Sequence, residues 1–217
     1  MTISSALKQI RAVFTAFWDT FLVNNVVLVQ AAGLFPVLAM GYNLKYGVAL
    51  SLCTAAVLIP VSIGDALLSR RIPNWLRPAL YVVLSSALLF GVALVLRQYV
   101  SPMIYAHLYV FLPLMAVNTL FLLRPAASTA DHRVGVTIAA ALGSALGFAL
   151  VLCVACALRE MAINGTLWDI PLGYAARFPE AEHPFIGFVL LGFMAATLQW
   201  IKQLLRKAIV GRKGDDR

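Results

Sequence analysis

The chain is poor in charged residues and in cysteine, and each shortage excludes a class of protein. Only 12% of its 217 residues are charged. Soluble domains carry about 25% charged residues, so a soluble enzyme or binding domain is excluded. The three cysteines, Cys53, Cys153 and Cys156, all lie within apolar runs. An odd number of cysteines in such places excludes a disulfide framework.

Motifs of a self-contained active site are also missing. The sequence has no P-loop, no G-x-S-x-G, no H-E-x-x-H and no Rossmann glycine fingerprint. The formal net charge is +8, but the basic residues lie between apolar runs and at the C-terminus. We therefore expect no nucleic-acid partner. No small-residue cleavage site follows a clean apolar core near the N-terminus, so we expect no cleaved signal peptide.

What the chain has in abundance is apolar sequence. Hydrophobic residues make up 62% of it, and its mean hydropathy is +0.88. A membrane-spanning helix needs about 20 apolar residues, and six runs approach that length. The sequence thus predicts an all-α membrane protein whose single domain covers residues 1–217, with a short cytoplasmic or interfacial lead-in over 1–12. The predicted spans are 13–40, 47–68, 79–96, 103–123, 134–158 and 184–205.

The basic residues predict the orientation of these spans. The N-terminus, the second and fourth connections and the tail hold 13 of the 17 Lys and Arg residues. Basic residues are enriched in cytoplasmic loops. We therefore expect both termini, including the basic tail 207–217, to be cytoplasmic.

The two halves of the chain, about 13–97 and 103–206, resemble each other. Sliding the chain by 84 positions places residues 28–35 on 112–119 and the second span on the fifth. Three spans per half give the halves opposite orientations, so the pattern indicates a 3+3 inverted repeat with interrupted first and fourth spans. The alternative is two unrelated proline-containing helices.

The interrupted spans carry two polar clusters. Buried amides need hydrogen-bonding partners in hydrocarbon, so these spans should face protein, a polar cavity or a ligand. In an inverted repeat the two clusters would meet near the bilayer midplane. The alternative is that the amides cap broken helices and hold neighbouring helices together. The first cluster is Asn24, Asn25, Gln30, Gly33 and Pro36, and the second is Pro113, Asn118 and Thr119.

No charged residue is expected deep within a span, which argues against a self-sufficient ion carrier. Arg159 and Glu160, followed by Asn164 and Gly165, are interpreted as a helix end and turn at the membrane interface. Cys153 and Cys156 have the CxxC spacing of a half metal or iron–sulfur site. The alternative is that they are small apolar side chains in a span rich in glycine and alanine.

Three motifs resemble the Rnf/Nqr membrane-subunit family. Residues 24–36 (NNVVLVQAAGLFP) are similar to its first-span motif, and residues 111–119 (FLPLMAVNT) to its fourth-span motif. Residues 159–167 (REMAINGTL) resemble the sequence that marks the E subunit of Rnf and the D subunit of Nqr. The resemblance implies a subunit of an ion-translocating electron-transport complex in a bacterial inner membrane.

The resemblance also implies partners and cofactors. A homologous subunit of opposite orientation, of the Rnf A or Nqr E type, would form a pseudo-symmetric pair with this chain. In the family such a pair holds a [2Fe–2S] cluster on cysteines of the first-span and fourth-span motifs. Other subunits would carry FMN, riboflavin and further iron–sulfur clusters.

The chain departs from the family at the cluster ligands. The cysteine positions are occupied by Phe35 and Thr119, and neither side chain can replace a thiolate. We therefore predict a non-catalytic subunit that does not hold the cluster. One alternative is that Cys153 and Cys156 took over ligation. Two further alternatives are a stand-alone transporter of small solutes or ions and a membrane scaffold.

Overall fold

The structure is a computed structural model that describes residues 3–31, 33–40, 43–68, 72–73, 75–99, 102–116, 134–173 and 178–215. Within these residues the chain is almost entirely helical. The α-helices are α1 (Ile3–Trp18), α2 (Leu34–Met40), α3 (Leu44–Leu68), α4 (Arg77–Tyr99), α5 (Pro102–Ala116), α6 (Val134–Asn164) and α7 (Pro184–Asp215). A π-helical segment, Asp19–Val23, continues α1. A hairpin of β1 (Thr166–Leu167) and β2 (Ile170–Pro171) and a 3₁₀ turn (Pro179–Glu182) separate α6 from α7.

The predicted lead-in over residues 1–12 is part of helix α1, because the chain is helical from Ile3 onwards. Its exposed apolar side chains, Ile10, Phe14 and Trp18, recur at intervals of four and therefore lie on one face. Another part of its surface packs against α6. An apolar face without protein cover is what a helix in contact with lipid requires.

Helix α6 lies at the centre of the molecule and contacts both α1 and α3. Thr20 Oγ1 donates a hydrogen bond to the Ala140 carbonyl at 3.1 Å, and Asn25 meets Gly147 further along. The π-helical segment that continues α1 therefore runs in the same direction as α6. Helix α3 runs in the opposite direction, since its first residue, Leu44, meets Glu160 near the end of α6.

Glycines in α6 allow this close approach. A Cβ atom at Gly143 would lie 2.3 Å from Thr20 Oγ1 and 2.5 Å from the Phe17 carbonyl oxygen. A Cβ atom at Gly147 would lie 2.9 Å from Asn25 Nδ2. Membrane helices associate through small residues that let backbones approach, and α6 uses glycine where the first helical segment crosses it.

Replacing Gly143 with alanine should destabilise the protein by about 1–3 kcal/mol, because the added methyl group overlaps backbone as well as a side chain. The measurement is the midpoint of unfolding of the purified protein in detergent. Gly91→Ala is the matched control, since nothing lies within 4 Å of a Cβ atom there. Equal midpoints for the two variants would contradict this packing.

Four helices in the described part of the chain are long and apolar enough to cross a membrane: α3, α4, α6 and α7. The first predicted span is interrupted between Val23 and Leu34. The fourth is helical from Pro102 to Ala116, and its predicted remainder lies outside the described residues. The fifth was predicted to end at residue 158, but α6 continues to Asn164 because the polar residues there find partners within the protein.

Candidate functional site

The interrupted first span is held to α6 by Asn25, whose side chain is buried. Its Nδ2 donates to the Phe21 carbonyl at 3.0 Å and to the Gly147 carbonyl at 3.3 Å. Its Oδ1 accepts from the backbone N–H groups of Val27 (3.0 Å) and Leu28 (3.2 Å). One amide thus satisfies backbone groups before the break and within it, and asparagine makes such local contacts in Asx turns.

Asn24 and Gln30 also make hydrogen bonds within the break. Asn24 Nδ2 donates to the Asp19 carboxylate at 2.9 and 3.1 Å. Gln30 Nε2 donates to the Asn24 carbonyl at 3.1 Å. Lys202 of α7 donates to the Val23 carbonyl at the end of the π-helical segment. The break is therefore held in place by hydrogen bonds. Asn24 and Gln30 are exposed on its outer side, away from the rest of the protein.

Gly33 and Pro36 start the second part of the interrupted span. Gly33 has a φ of +74°, a backbone conformation that glycine adopts without steric cost, and α2 begins at the next residue. Pro36 lies in the first turn of α2. The first four N–H groups of a helix have no intrahelical acceptor, so Pro36 costs the helix no hydrogen bond.

Phe35, at the position where the resemblance places the first-span cysteine, has a side chain that is 45% exposed. Its ring lies beside that of Phe111 in α5, with 6.0 Å between the ring centroids. The motifs of the first and fourth spans are therefore neighbours in the structure. Pro113 lies within α5, one turn after Tyr109. Asn118 and Thr119, the other members of the second polar cluster, lie outside the described residues.

Phe35 does not fit an iron–sulfur cluster. A [2Fe–2S] cluster is held by cysteine or histidine side chains, and the phenyl ring has no atom that can bind iron. The ring instead makes an aromatic contact with Phe111. Phe35 therefore supplies no ligand for an iron–sulfur cluster.

Arg159 joins three separate elements and is 2% exposed. Its Nε donates to the Ala181 carbonyl at 2.9 Å, and one terminal nitrogen donates to the Leu38 carbonyl at 3.1 Å. The other terminal nitrogen donates to the carbonyls of Glu182 (2.7 Å) and His183 (3.3 Å). The planar guanidinium thus ties α6 to the end of α2 and to the 3₁₀ turn that precedes α7.

Glu160 is fully buried and points to different elements. Its Oε2 accepts the backbone N–H of Leu44 at 2.8 Å. Its Oε1 accepts from the Thr166 hydroxyl at 3.2 Å and the Asp169 N–H at 3.0 Å. Leu44 is the first residue of α3, where a carboxylate satisfies a free N–H group and interacts favourably with the helix dipole. Glu160 therefore connects the start of α3 to the hairpin after α6.

The interpretation of residues 159–165 as a helix end and turn is confirmed at Asn164 and Gly165, although Arg159 and Glu160 themselves lie within the last turns of α6. Helix α6 continues past them to Asn164, and Gly165, with a φ of +64°, follows it. Both side chains are buried within the protein, which the expectation that no charged residue lies deep within a span did not address. The sequence signal for this burial is the pair of adjacent opposite charges at the end of an apolar run, because charged side chains without partners are costly in a membrane.

Asp65 is a third buried charged residue, although its place in the sequence indicates only a position near a span end. It lies in α3 and is 2% exposed. The hydroxyl of the buried Tyr81 in α4 donates a hydrogen bond to its carboxylate. This contact joins α3 to α4 near the C-terminal end of α3, whereas Glu160 contacts the first residue of α3.

An exposed ion pair accompanies the Glu160 contacts. Lys45, next to Leu44, pairs with Asp169 of the hairpin. The hydrogen bond from Lys45 lowers the pKa of the Asp169 carboxyl below its usual value. Any stability from this pair is present above the usual carboxyl pKa and is lost as the pH falls through the lowered value. Since the pair is exposed, its contribution is small.

Cys156 is buried against α3, where a Cβ atom at Gly47 would lie 2.5 Å from its sulfur. Cys153 is half-buried one turn earlier. In the described ranges no group of three or more His, Cys, Asp or Glu side chains could hold a metal ion. The contacts of Cys156 are those of a packed apolar side chain.

The double variant Cys153→Ser/Cys156→Ser tests the alternative cluster ligands. We expect the iron and acid-labile sulfide content of the purified complex to stay unchanged, because the sulfur of Cys156 packs against α3. Cys53→Ser is the control for loss of a buried thiol. A stoichiometric cluster that disappears only in the double variant would contradict this expectation.

Comparisons with known proteins decide the family. Residues 13–204 match the family described as Rnf-Nqr subunit, membrane protein. The chain belongs to the Rnf-Nqr family. It is 33% identical over 199 residues to the E subunit of the ion-translocating oxidoreductase complex of Edwardsiella ictaluri, covering 85% of this chain and 84% of the relative. Three motifs in the predicted order had indicated this family.

Two further relatives extend the similarity over nearly all of the Rnf-Nqr chain. The E subunit of the ion-translocating oxidoreductase complex of Shewanella loihica is 31% identical over 90% of this chain and 89% of its own. The E subunit of the Na(+)-translocating ferredoxin:NAD(+) oxidoreductase complex of Acetobacterium woodii is 29% identical over 82% of this chain and 91% of its own. The Rnf-Nqr similarity therefore covers the interrupted span, α6 with its buried charges and most of α7.

Proposed function

We propose that this chain is a membrane subunit of an ion-translocating oxidoreductase complex, in which it has a structural rather than a catalytic role. The observation that carries the proposal is the family similarity over residues 13–204. The hydrogen bonds of Arg159 and Glu160 add to it, since these residues join the interrupted span, α3, the hairpin and the start of α7. The chain thus builds the scaffold of a complex subunit.

We further propose six membrane crossings in a 3+3 inverted repeat, with α1 and α2 as the first crossing and α5 as part of the fourth. The repeat exchanges the first crossing with the fourth, the second with the fifth, and the third with the sixth. Contacts between helices follow this exchange. The contact of α1 with α6 corresponds to that of α5 with α3, and the contact of α2 with α7 corresponds to that of α5 with α4. This correspondence supports the proposal.

The proposed partner is a homologous membrane subunit of opposite orientation, of the Rnf A or Nqr E type. Exposed polar groups are costly in lipid and are tolerated where protein or a polar cavity meets them. Asn24 and Gln30 are exposed on the interrupted span, and a partner subunit would cover them. Because Phe35 offers no donor atom, we propose that this chain supplies no ligand at that position and that flavins and iron–sulfur clusters belong to other subunits.

The experiment that tests the function is purification of the tagged full-length chain in a mild detergent, followed by mass spectrometry. We expect co-purification of further membrane subunits and of flavin- and iron–sulfur-containing subunits. Recovery of the chain alone or as a homodimer would overturn the proposal and favour a stand-alone transporter.

The proposed location is a bacterial inner membrane with both termini in the cytoplasm, because the tail and the N-terminus are basic. Single cysteines placed in a cysteine-free variant test this topology with an impermeant thiol reagent on intact cells. A cysteine at Ile170, in the exposed hairpin, should be labelled, and one at Lys8 should not. Labelling of Lys8→Cys alone would reverse the proposed orientation.

A further inference from the structure

A groove of about 710 Å³ runs between α4 and α5. Phe90, Ala93 and Leu94 of α4 form one wall, and Tyr109 and Leu112 of α5 are part of the other. The volume is within the range of about 300–1,000 Å³ that is usual for small-molecule sites. The walls of the groove are mainly apolar, so a molecule that occupies the groove must be hydrocarbon over most of its length.

The length of the groove matches one leaflet of a bilayer. It extends along α4 from Ser86 to Arg97, which is about 16 Å at 1.5 Å per residue. The hydrocarbon core is about 30 Å thick, so one leaflet contributes about 15 Å. Arg77 and Arg97 lie near the two ends of the candidate span. The groove therefore covers one half of the span, from its polar end to its middle.

Arg97 gives the groove a charged end. It is exposed, and among the described residues that line the groove it alone carries a charge. Ser85 Oγ donates to the Ala116 carbonyl at 3.0 Å where the groove reaches the middle of the span. Helices α4 and α5 run in opposite directions from there, so Tyr105 lies near the level of Arg97. The Tyr105 and Tyr109 ring centroids are 5.7 Å apart, and tyrosine is enriched at the level of lipid headgroups.

We propose that the groove binds an anionic phospholipid, with an acyl chain between α4 and α5 and the phosphate at Arg97. The apolar wall matches the acyl chain in character and in length. The guanidinium binds phosphate through charge-assisted hydrogen bonds. This inference goes beyond the proposed function.

The test is native mass spectrometry of the delipidated full-length chain, titrated with phosphatidylglycerol or phosphatidylcholine of identical acyl chains. We expect phosphatidylglycerol to bind about tenfold more tightly, a difference of about 1.4 kcal/mol. Arg97→Gln should abolish this preference. Arg11→Gln, which removes an exposed arginine from α1, should retain it.

A second pair of variants tests the apolar part of the groove. Ala93→Phe fills the space between α4 and α5 and should weaken binding of both lipids about tenfold. Ala56→Phe adds the same volume at an exposed position of α3 and should leave both affinities unchanged. A retained headgroup preference in Arg97→Gln, or wild-type affinities in Ala93→Phe, would overturn the proposal.

The assembled complex provides the remaining test. A photo-crosslinking residue at Phe90, which is exposed at the groove, should capture phospholipid in membranes. Capture of a partner subunit there would show that protein covers the groove and would overturn the proposal. A chain that purifies without partners yet keeps the headgroup preference would contradict the proposed function and support the groove proposal.

Discussion

Arg159→Met is expected to lower the free energy of unfolding by about 3–5 kcal/mol, because it removes several buried hydrogen bonds to a charged group, each of which is worth about 1.5–3 kcal/mol. Methionine fills much of the same space but donates no hydrogen bond. Four backbone carbonyls, those of Leu38, Ala181, Glu182 and His183, would lose a donor. Unfolding by SDS titration of the purified protein in mixed micelles measures the loss.

Two controls separate the geometry of the guanidinium from its charge. Arg159→Lys keeps the charge, but its single ammonium group cannot reproduce the planar set of N–H donors of the guanidinium. Its stability should therefore lie between that of the wild type and that of Arg159→Met. Arg11→Gln removes an exposed arginine of α1 and should have little effect. A stability of Arg159→Met equal to that of the wild type would show that these hydrogen bonds do not hold α2 and the 3₁₀ turn in place.

Glu160→Gln is expected to cost about 1.5–3 kcal/mol, the usual value of a hydrogen bond to a charged group. The two carboxylate oxygens accept from Leu44 on one side and from Thr166 and Asp169 on the other. Glutamine has only one acceptor oxygen, and its NH₂ group would face a donor. Trypsin cleavage at Lys45 provides the local measurement, because loosening the start of α3 should accelerate it.

Asp169→Asn is the matched control for Glu160→Gln. Both variants remove one carboxylate near the hairpin that follows α6, but Asp169 is exposed and its partners Asn43 and Lys45 are only half-buried. Its effect on unfolding should be clearly smaller. Equal losses of stability in the two variants would contradict the prediction that Glu160 stabilises the protein more than Asp169 because it is buried and accepts the N–H of Leu44.

The class of the protein and the break in its first span followed from residue patterns. Apolar runs of the length of a bilayer predicted a helical membrane protein, and long apolar helices are present in the described part of the chain. Asn25 and Gly33 predicted an interruption, which the structure places between Val23 and Leu34. Such local signals are readable because glycine and asparagine determine backbone conformation within a few residues.

The site around Arg159 and Glu160 was not predicted in this form. A charged pair at the end of an apolar run is compatible with a solvated helix end and with a buried junction. The difference depends on Leu38, Leu44 and Ala181, which are distant in sequence from the pair or separated from it by a hairpin. The periodicity of apolar residues in the sequence does not show which distant backbone groups meet Arg159 and Glu160.

The sequence was sufficient for a helical membrane protein and for the Rnf-Nqr family. Each of these depends on residue type and local order along the chain. Only the tertiary structure decided that Arg159 and Glu160 are buried, that Phe35 meets Phe111, and that a lipid-length groove separates α4 from α5. The physical reason is that burial and pairing are set by which helices approach each other, and charged groups are stable in the interior only where distant backbone groups complete their hydrogen bonds.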